Sequence, residues 1–214
     1  MAGTAEATKV ERIENDAVRG YLHRPAAASG AGLALTHGAG SDCNAPVLLA
    51  VADAFARAGL FVLRCDLAFR RQRAKGPPFP AAAAADRESL RQALALLGET
   101  AAGPLYLGGH SYGGRQASML AAEAPGLAAG LLLLAYPLHP PAKPAEKRTA
   151  HFAKLQTPSI FVSGTTDPFG SPAELEAALA LIPAQTRLLS IEGAGHDLKR
   201  GRFDLAPIVA AMLG

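Results

Sequence analysis

The chain has 214 residues, half of them hydrophobic and 18% charged, which excludes a disordered segment and predicts one well-buried domain over residues 1–214. A net charge of +3, with no basic stripe interleaved with aromatics, argues against nucleic acid as a partner. Cys43 and Cys65 have neither disulfide-framework nor metal-ligand spacing, so reduced thiols in a cytoplasmic protein are expected.

The stretch Met1 to Lys9 lacks the basic start and apolar core of a signal peptide. Val10 to Ile13 and Ala17 to Leu22 predict a hairpin across the polar turn Glu14-Asn15-Asp16. After the small-residue connector Pro25 to Gly32, Leu33-Ala34-Leu35-Thr36 predicts a buried strand that runs into His37-Gly38-Ala39-Gly40. Ala45 to Ala58 has helical spacing and stops at Gly59. Leu60 to Asp66 is the next strand, followed by an irregular basic loop from Phe69 to Pro78. The alanine run Ala81 to Ala85 opens a helix that continues to about Leu97.

Pro104 to Leu107 is a short apolar strand, and Arg115 to Glu123 reads as a helix. The longest apolar run, Leu127 to Leu138, is too short to span a bilayer and reads as a central strand, Leu131 to Ala135. Pro137 to Pro144 is too proline-rich for regular structure. Ser159 to Ser163 is a strand, Pro172 to Ile182 a helix, Arg187 to Ile191 a last strand, and Phe203 to Leu213 a closing helix. Strand and helix alternate from Leu33 onward, which implies a mostly parallel sheet with helices on both faces. In such sheets the site lies at the C-terminal ends of the strands. His37, Asp66, Ser111, Asp167 and His196 all come at the ends of predicted strands.

Gly108-Gly109-His110-Ser111-Tyr112-Gly113-Gly114 sits between the strand and the helix as a G-x-S-x-G turn. Small neighbours are required there, because a serine at the apex has strained backbone angles and strand and helix approach closely. A serine hydroxyl needs a base within hydrogen-bond reach, and the base needs an acid to hold its tautomer. His196 is the one histidine in a turn after the last strand, flanked by Gly193 and Gly195. Asp167 is the preferred acid over Asp66, Asp197 and Asp204, the rival role for it being an Asx turn before Pro168. The order Ser111, Asp167, His196 is the Ser…Asp…His order of the elbow motif. The oxyanion donors expected are the amides of Tyr112 and Ala39, with Gly40 as second choice.

Taken together, Thr36-His37-Gly38-Ala39-Gly40, Arg64-Cys65-Asp66-Leu67, Gly109 to Arg115, Gly164-Thr165-Thr166-Asp167-Pro168 and Gly193-Ala194-Gly195-His196 resemble the α/β-hydrolase superfamily. More narrowly they resemble its small lid-less branch, with testis-expressed-type hydrolases and a related domain of a chromatin-complex subunit. That branch has a similar Arg-rich segment, Phe69 to Arg73, and a Gly-Gly-Arg after the nucleophile. Dienelactone hydrolases are similar in size but carry cysteine where this chain has Ser111. The resemblance implies an α/β-hydrolase fold: a three-layer sandwich around a mostly parallel sheet of about seven to eight strands, helices on both faces and no lid domain.

The connection Leu138 to Thr157 is too short for a helical cap, so an open cleft suited to small acyl esters or thioesters is expected. Phe69, Tyr136 and Phe169 are expected as pocket walls. Arg70, Arg71, Arg73 and Lys75 form either a solvated loop or a site for an anionic group of the substrate. Arg115 is expected to buttress the elbow by pairing with Asp66 or the loop. The expected partner is a small-molecule acyl substrate, with no nucleic acid and no membrane; the oligomeric state is not readable. No metal-ligand spacing or dinucleotide fingerprint occurs, so no cofactor and no metal are expected. The alternatives left open are acyl transfer or peptide cleavage by the same residues, and a catalytically silent interaction domain.

Overall fold

A computed structural model describes residues 8–214. Met1 to Ala7, part of the stretch read as lacking a signal peptide, lie outside the described residues. The chain opens with a hairpin of β1 (Lys9–Glu14) and β2 (Arg19–Arg24). Its turn is an Asx turn, in which the Asn15 side-chain oxygen accepts from the backbone N–H groups of Ala17 and Val18 at 2.9 and 2.7 Å.

From there strands and helices alternate. β3 (Gly32–Thr36) leads to α1 (Pro46–Arg57), and β4 (Phe61–Cys65) to the short α2 (Ala68–Gln72) and to α3 (Ala83–Gly98). β5 (Leu105–His110) is followed by α4 (Tyr112–Glu123), and β6 (Gly130–Leu134) by a long irregular connection. β7 (Ser159–Gly164), α5 (Pro172–Leu179), β8 (Thr186–Ile191) and α6 (Ala206–Leu213) complete the chain. The sheet order is β1-β2-β4-β3-β5-β6-β7-β8, with β2 antiparallel to both neighbours and the rest parallel. The order reverses between β3 and β5, which opens a crevice at the C-terminal ends of those two strands.

The central strands are buried on both faces, which is why they read as unbroken apolar runs. Successive residues serve opposite layers. Leu131, Leu133 and Phe161 join a core with Leu90, Leu94, Leu120 and Leu175 of α3, α4 and α5. Leu132, Leu134 and Val162 join Val51, Phe55 and Ile208 of α1 and α6 on the other side. The result is a three-layer α/β-hydrolase architecture, and among the described residues the β6–β7 connection holds only one short 3-10 turn, Phe152–Lys154, and no lid.

Several local expectations change: α5 ends at Leu179, short of Ile182, and α6 begins at Ala206, after Phe203. The basic loop after β4 starts as the helix α2, because Asp86 and Ser89 of α3 accept from its first amides, Phe69 N at 2.9 Å and Ala68 N at 3.2 Å. β5 runs through Gly108 and Gly109 to His110, beyond the apolar run that announced it. β6 stops at Leu134, since Ala135 adopts a left-handed φ of 47° while its N–H still bonds Val162 O.

Candidate active site

The turn at Ser111 follows from close packing. A Cβ on Gly113 would stand 2.6 Å from both His37 O and Thr36 Cγ2, and one on Gly109 would stand 2.8 Å from Thr36 O. A Cβ on Gly114 would meet Gly109 O at 2.6 Å. Without these side chains α4 can start directly on the end of β5, and the chain reverses at Ser111 with φ 53° and ψ −117°. A left-handed φ on a serine costs energy of order 1–3 kcal/mol and lifts its hydroxyl clear of the sheet.

The hydroxyl meets a hydrogen-bonded chain. Ser111 Oγ lies 2.7 Å from His196 Nε2, and His196 Nδ1 lies 2.8 Å from Asp167 Oδ2 and 3.0 Å from Oδ1. This network sets the tautomer: Nδ1–H donates to the carboxylate, leaving Nε2 to accept the serine proton. The Asp167 side chain is only 1% exposed and that of His196 22%, so the carboxylate and the imidazole differ in access to water. Asp167 also forms the Asx turn, accepting from Phe169 N at 2.9 Å. The loops carrying Asp167 and His196 are tied together, since Thr166 donates from both N and Oγ1 to Ala194 O. Only glycine fits at Gly164, where a Cβ would approach Ala194 O to 2.2 Å.

His37 is fully buried and neutral, its pKa lowered chiefly by burial. Its Nδ1–H donates to Gly38 O at 2.9 Å, while Nε2 accepts from Leu67 N at 3.1 Å. The same Gly38 carbonyl accepts from Ser41 N and Ser41 Oγ. In a trans peptide the N–H opposes the C=O, so the Ala39 amide is turned away from these donors. Ala39 and Tyr112 line one cleft with Ser111, of 580 Å³. Gly40 is not among the residues lining it.

Phe169 also lines this cleft, and its ring lies against that of His196 at 4.1 Å between centroids. Other expected substrate contacts fall elsewhere. Phe69 is buried between His37 and Tyr112 in edge-on contacts, because α2 turns it inward. Arg70 is buried and spent on the carbonyls of Ala39, Ser41, Arg73 and Gly76. It therefore holds the Ala39 loop in place. Arg71 points to Asp16 O at the hairpin. Tyr136 packs on Phe152 and Phe161, and its hydroxyl donates to Arg148 O at 2.6 Å. None of these four lines the cleft. Asp66 pairs with Arg19 at 2.8 Å and accepts from Cys43 N, so it is not Arg115's partner.

Sequence reasoning missed several residues around the site. Asp86, fully buried, accepts from Tyr112 Oη at 2.7 Å and from Phe69 N. Burial and this bond push the Tyr112 phenol pKa up, keeping it a donor. His110 Nε2–H donates to His196 O at 2.7 Å, and burial lowers its pKa to about 4. Pro77, Phe79 and Met119 supply apolar wall, and Gln116 and Arg148 supply polar wall. Only the histidine beside the elbow serine gave any advance signal, because the other residues reach the cleft through tertiary packing. Cys43 and Cys65 are buried free thiols, with pKa values raised by burial, that of Cys43 to about 12. No helix among the described residues is long and apolar enough to cross a membrane.

A serine on a strained strand–helix turn, bonded to a histidine and through it to an aspartate at the C-terminal edge of a doubly covered, mostly parallel sheet, defines the α/β-hydrolase class. Residues 29–204 match the family described as an alpha/beta hydrolase domain, and the chain belongs to that family. Among solved structures it is similar to a dienelactone hydrolase from Anabaena variabilis, at 22% identity and a TM-score of 0.71 over 96% of this chain and 94% of that one. It is likewise similar to an alpha-beta serine hydrolase homologue from Coxiella burnetii, at 18% identity and 0.73 over 96% and 97%. A lid-less serine hydrolase from Xanthomonas campestris gives 17% and 0.72 over 97% and 92%. At these identities the likeness is one of fold. Among curated proteins, 48 residues are 48% identical to part of the polyketide synthase ThaQ of Burkholderia thailandensis, covering 22% of this chain and 2% of that protein.

Proposed function

We propose that this hydrolase cleaves small acyl esters or thioesters through an acyl-enzyme on Ser111. The observation that carries the reading is the unbroken 2.7 and 2.8 Å chain from Ser111 Oγ through His196 to Asp167, opening onto a cleft with no lid over it. His196 Nε2 takes the serine proton as Oγ attacks the carbonyl, and returns it to the departing alcohol or thiol. Asp167 keeps the ring in that tautomer and stabilises the imidazolium. The amides of Ala39 and Tyr112 stabilise the oxyanion, with the N-terminus of α4 adding its partial positive charge. Water then enters the open cleft, gives a proton to His196 and releases the acid.

Phe169 shapes the pocket and backs the imidazole. The buried thiols suit a reducing, cytoplasmic setting. Within the superfamily we assign the chain to the lid-less branch with testis-expressed-type hydrolases, on its Arg-rich segment and the Gly113-Gly114-Arg115 sequence. The test is labelling with a fluorophosphonate, read by intact mass on wild type, Ser111→Ala and His196→Ala. One adduct on wild type and none on either variant is expected. No adduct on folded wild type would instead favour a silent interaction domain.

A further inference from the structure

The cleft in front of Ser111 has a polar end that the proposed reaction leaves unused. Arg115 and Arg148 both line it, and both also line the adjoining basic lobe that Lys147 and Lys154 border. Neither arginine has a carboxylate within ion-pair distance among the described residues. Arg115 Nε is buried without a hydrogen-bond partner, and Arg148 reaches only the Pro137 carbonyl at 3.2 Å. Two neighbouring cations differ, since Arg87 pairs with Glu123 at 2.9 Å and Lys147 with Glu174 at 3.0 Å, and Lys154 is exposed to water. Among the described residues Glu123 is the only carboxylate lining either lobe, and it is already engaged. Fully buried Gln116 also lines the cleft. Its carbonyl accepts from Arg87, while its amide nitrogen has no partner. His151, across the basic lobe, donates from Nε2 to Ser118 Oγ, whose own proton goes to Arg115 O. It offers no charge to offset the arginines: burial, then Arg115 and Arg87, lower its pKa to about 4.

Half-buried guanidinium groups without counter-charge, next to an unpartnered buried amide, are costly unless a ligand completes them. We propose that Arg115, Arg148 and Gln116 bind a free carboxylate on the substrate, making the preferred substrate a half-ester or half-thioester of a short dicarboxylic acid. This rests on the Ser111 reading above. Arg115 follows Ser111 by four residues in the first turn of α4, and both line the same cleft. The carboxylate therefore sits a few methylenes from the carbonyl under attack, along the apolar wall of Phe79, Pro77 and Met119. The planar fork of each arginine matches a carboxylate. Hydrolysis consumes one water, breaks the acyl C–O or C–S bond, and releases a dicarboxylate, the alcohol or thiol, and one proton at neutral pH.

That proton is the readout. Base uptake at fixed pH is followed with monomethyl glutarate and with dimethyl glutarate, for wild type, Arg115→Gln, Arg148→Gln and Arg115→Lys. In parallel, the rate of fluorophosphonate labelling is measured with and without glutarate, and melting curves check that each variant folds. We expect the half-ester to be preferred in kcat/KM by about tenfold or more, the size of one or two charge-assisted hydrogen bonds. That preference should collapse in both glutamine variants and partly persist with lysine, and glutarate should slow labelling of wild type, less so of Arg115→Lys, and not of either glutamine variant. If the serine is labelled but the diester is cleaved as well as the half-ester, or the ratio survives in both glutamine variants, carboxylate recognition is wrong while the serine reading stands. If folded wild type is neither labelled nor active on either ester, both fall together.

Discussion

His110 Nε2–H donates to the backbone carbonyl of His196 at 2.7 Å, so the residue before Ser111 grips the loop that carries His196. The two imidazoles lie 5.4 Å apart between centroids, with His110 held neutral behind His196. Replacing His110 with leucine strands a buried carbonyl, at about 1–3 kcal/mol. For a chain of this size, about 2–4 °C of melting temperature is lost per kcal/mol. We expect a lower Tm and a kcat reduced about tenfold with KM little changed, since the base is displaced but the cleft is not. His110→Gln, which can restore a donor, should recover part of both; equal loss in the two variants would assign His110 to packing alone.

Asp167→Asn tests the tautomer. An amide can donate to Nδ1 and so put the imidazole proton on Nε2, where it cannot accept from Ser111. By comparison with the corresponding change in serine proteases, kcat should fall by about 10⁴. The Asx-turn acceptor for Phe169 N survives in asparagine, so Tm should hold. Retained activity would move the acid's role to another residue.

Ser111 at φ 53° holds strain that glycine would release. Ser111→Gly should lose ester cleavage while its Tm stays level or rises by a few degrees, at about 2–4 °C per kcal/mol recovered. A fall of several degrees in thermal melts would mean that the hydroxyl is a structural group.

Glycines at the site divide by what a methyl would meet. Gly113→Ala drives Cβ into backbone and side-chain atoms 2.6 Å away, whereas nothing lies within 4 Å of a Cβ on Gly40. Gly113→Ala should therefore destabilise by about 3 kcal/mol or more, or fail to fold, while Gly40→Ala keeps the wild-type Tm. Denaturant melts of both variants decide the matter.

Acid should unfold the protein through its buried histidines. His110 and His151 have pKa values lowered to about 4 from 6.5, chiefly by burial. Between those values the unfolded chain binds more protons than the folded one. Stability is thus complete above about pH 6.5 and is lost as pH falls toward 4. Melting temperature plotted against pH should decline across that window, and His151→Gln should flatten the decline. A variant curve parallel to wild type would remove His151 from the account.

What the sequence determined by itself was whatever is encoded in neighbouring residues. Alternation of apolar runs with helical spacing set the layer architecture, because a strand buried on both faces has no other composition open to it. Glycines marked the turns at the strand ends: around Ser111 and before Asp167 close approach excludes a side chain, and before His196 Gly193 takes a left-handed φ of 64°. Tertiary structure decided which way the arginines and aromatics point. Phe69, Arg70, Arg71 and Tyr136 follow a strand end as the site residues do, yet α2 and the core of Phe152 and Phe161 turn them away from the cleft. Asp86, Gln116 and Arg148 reach the site from α3, α4 and the β6–β7 connection. No local pattern announces them, because a long polar side chain looks the same in sequence whether its partner is water, a carbonyl across the fold, or a cleft. Only the packing of distant segments settles which partner it meets.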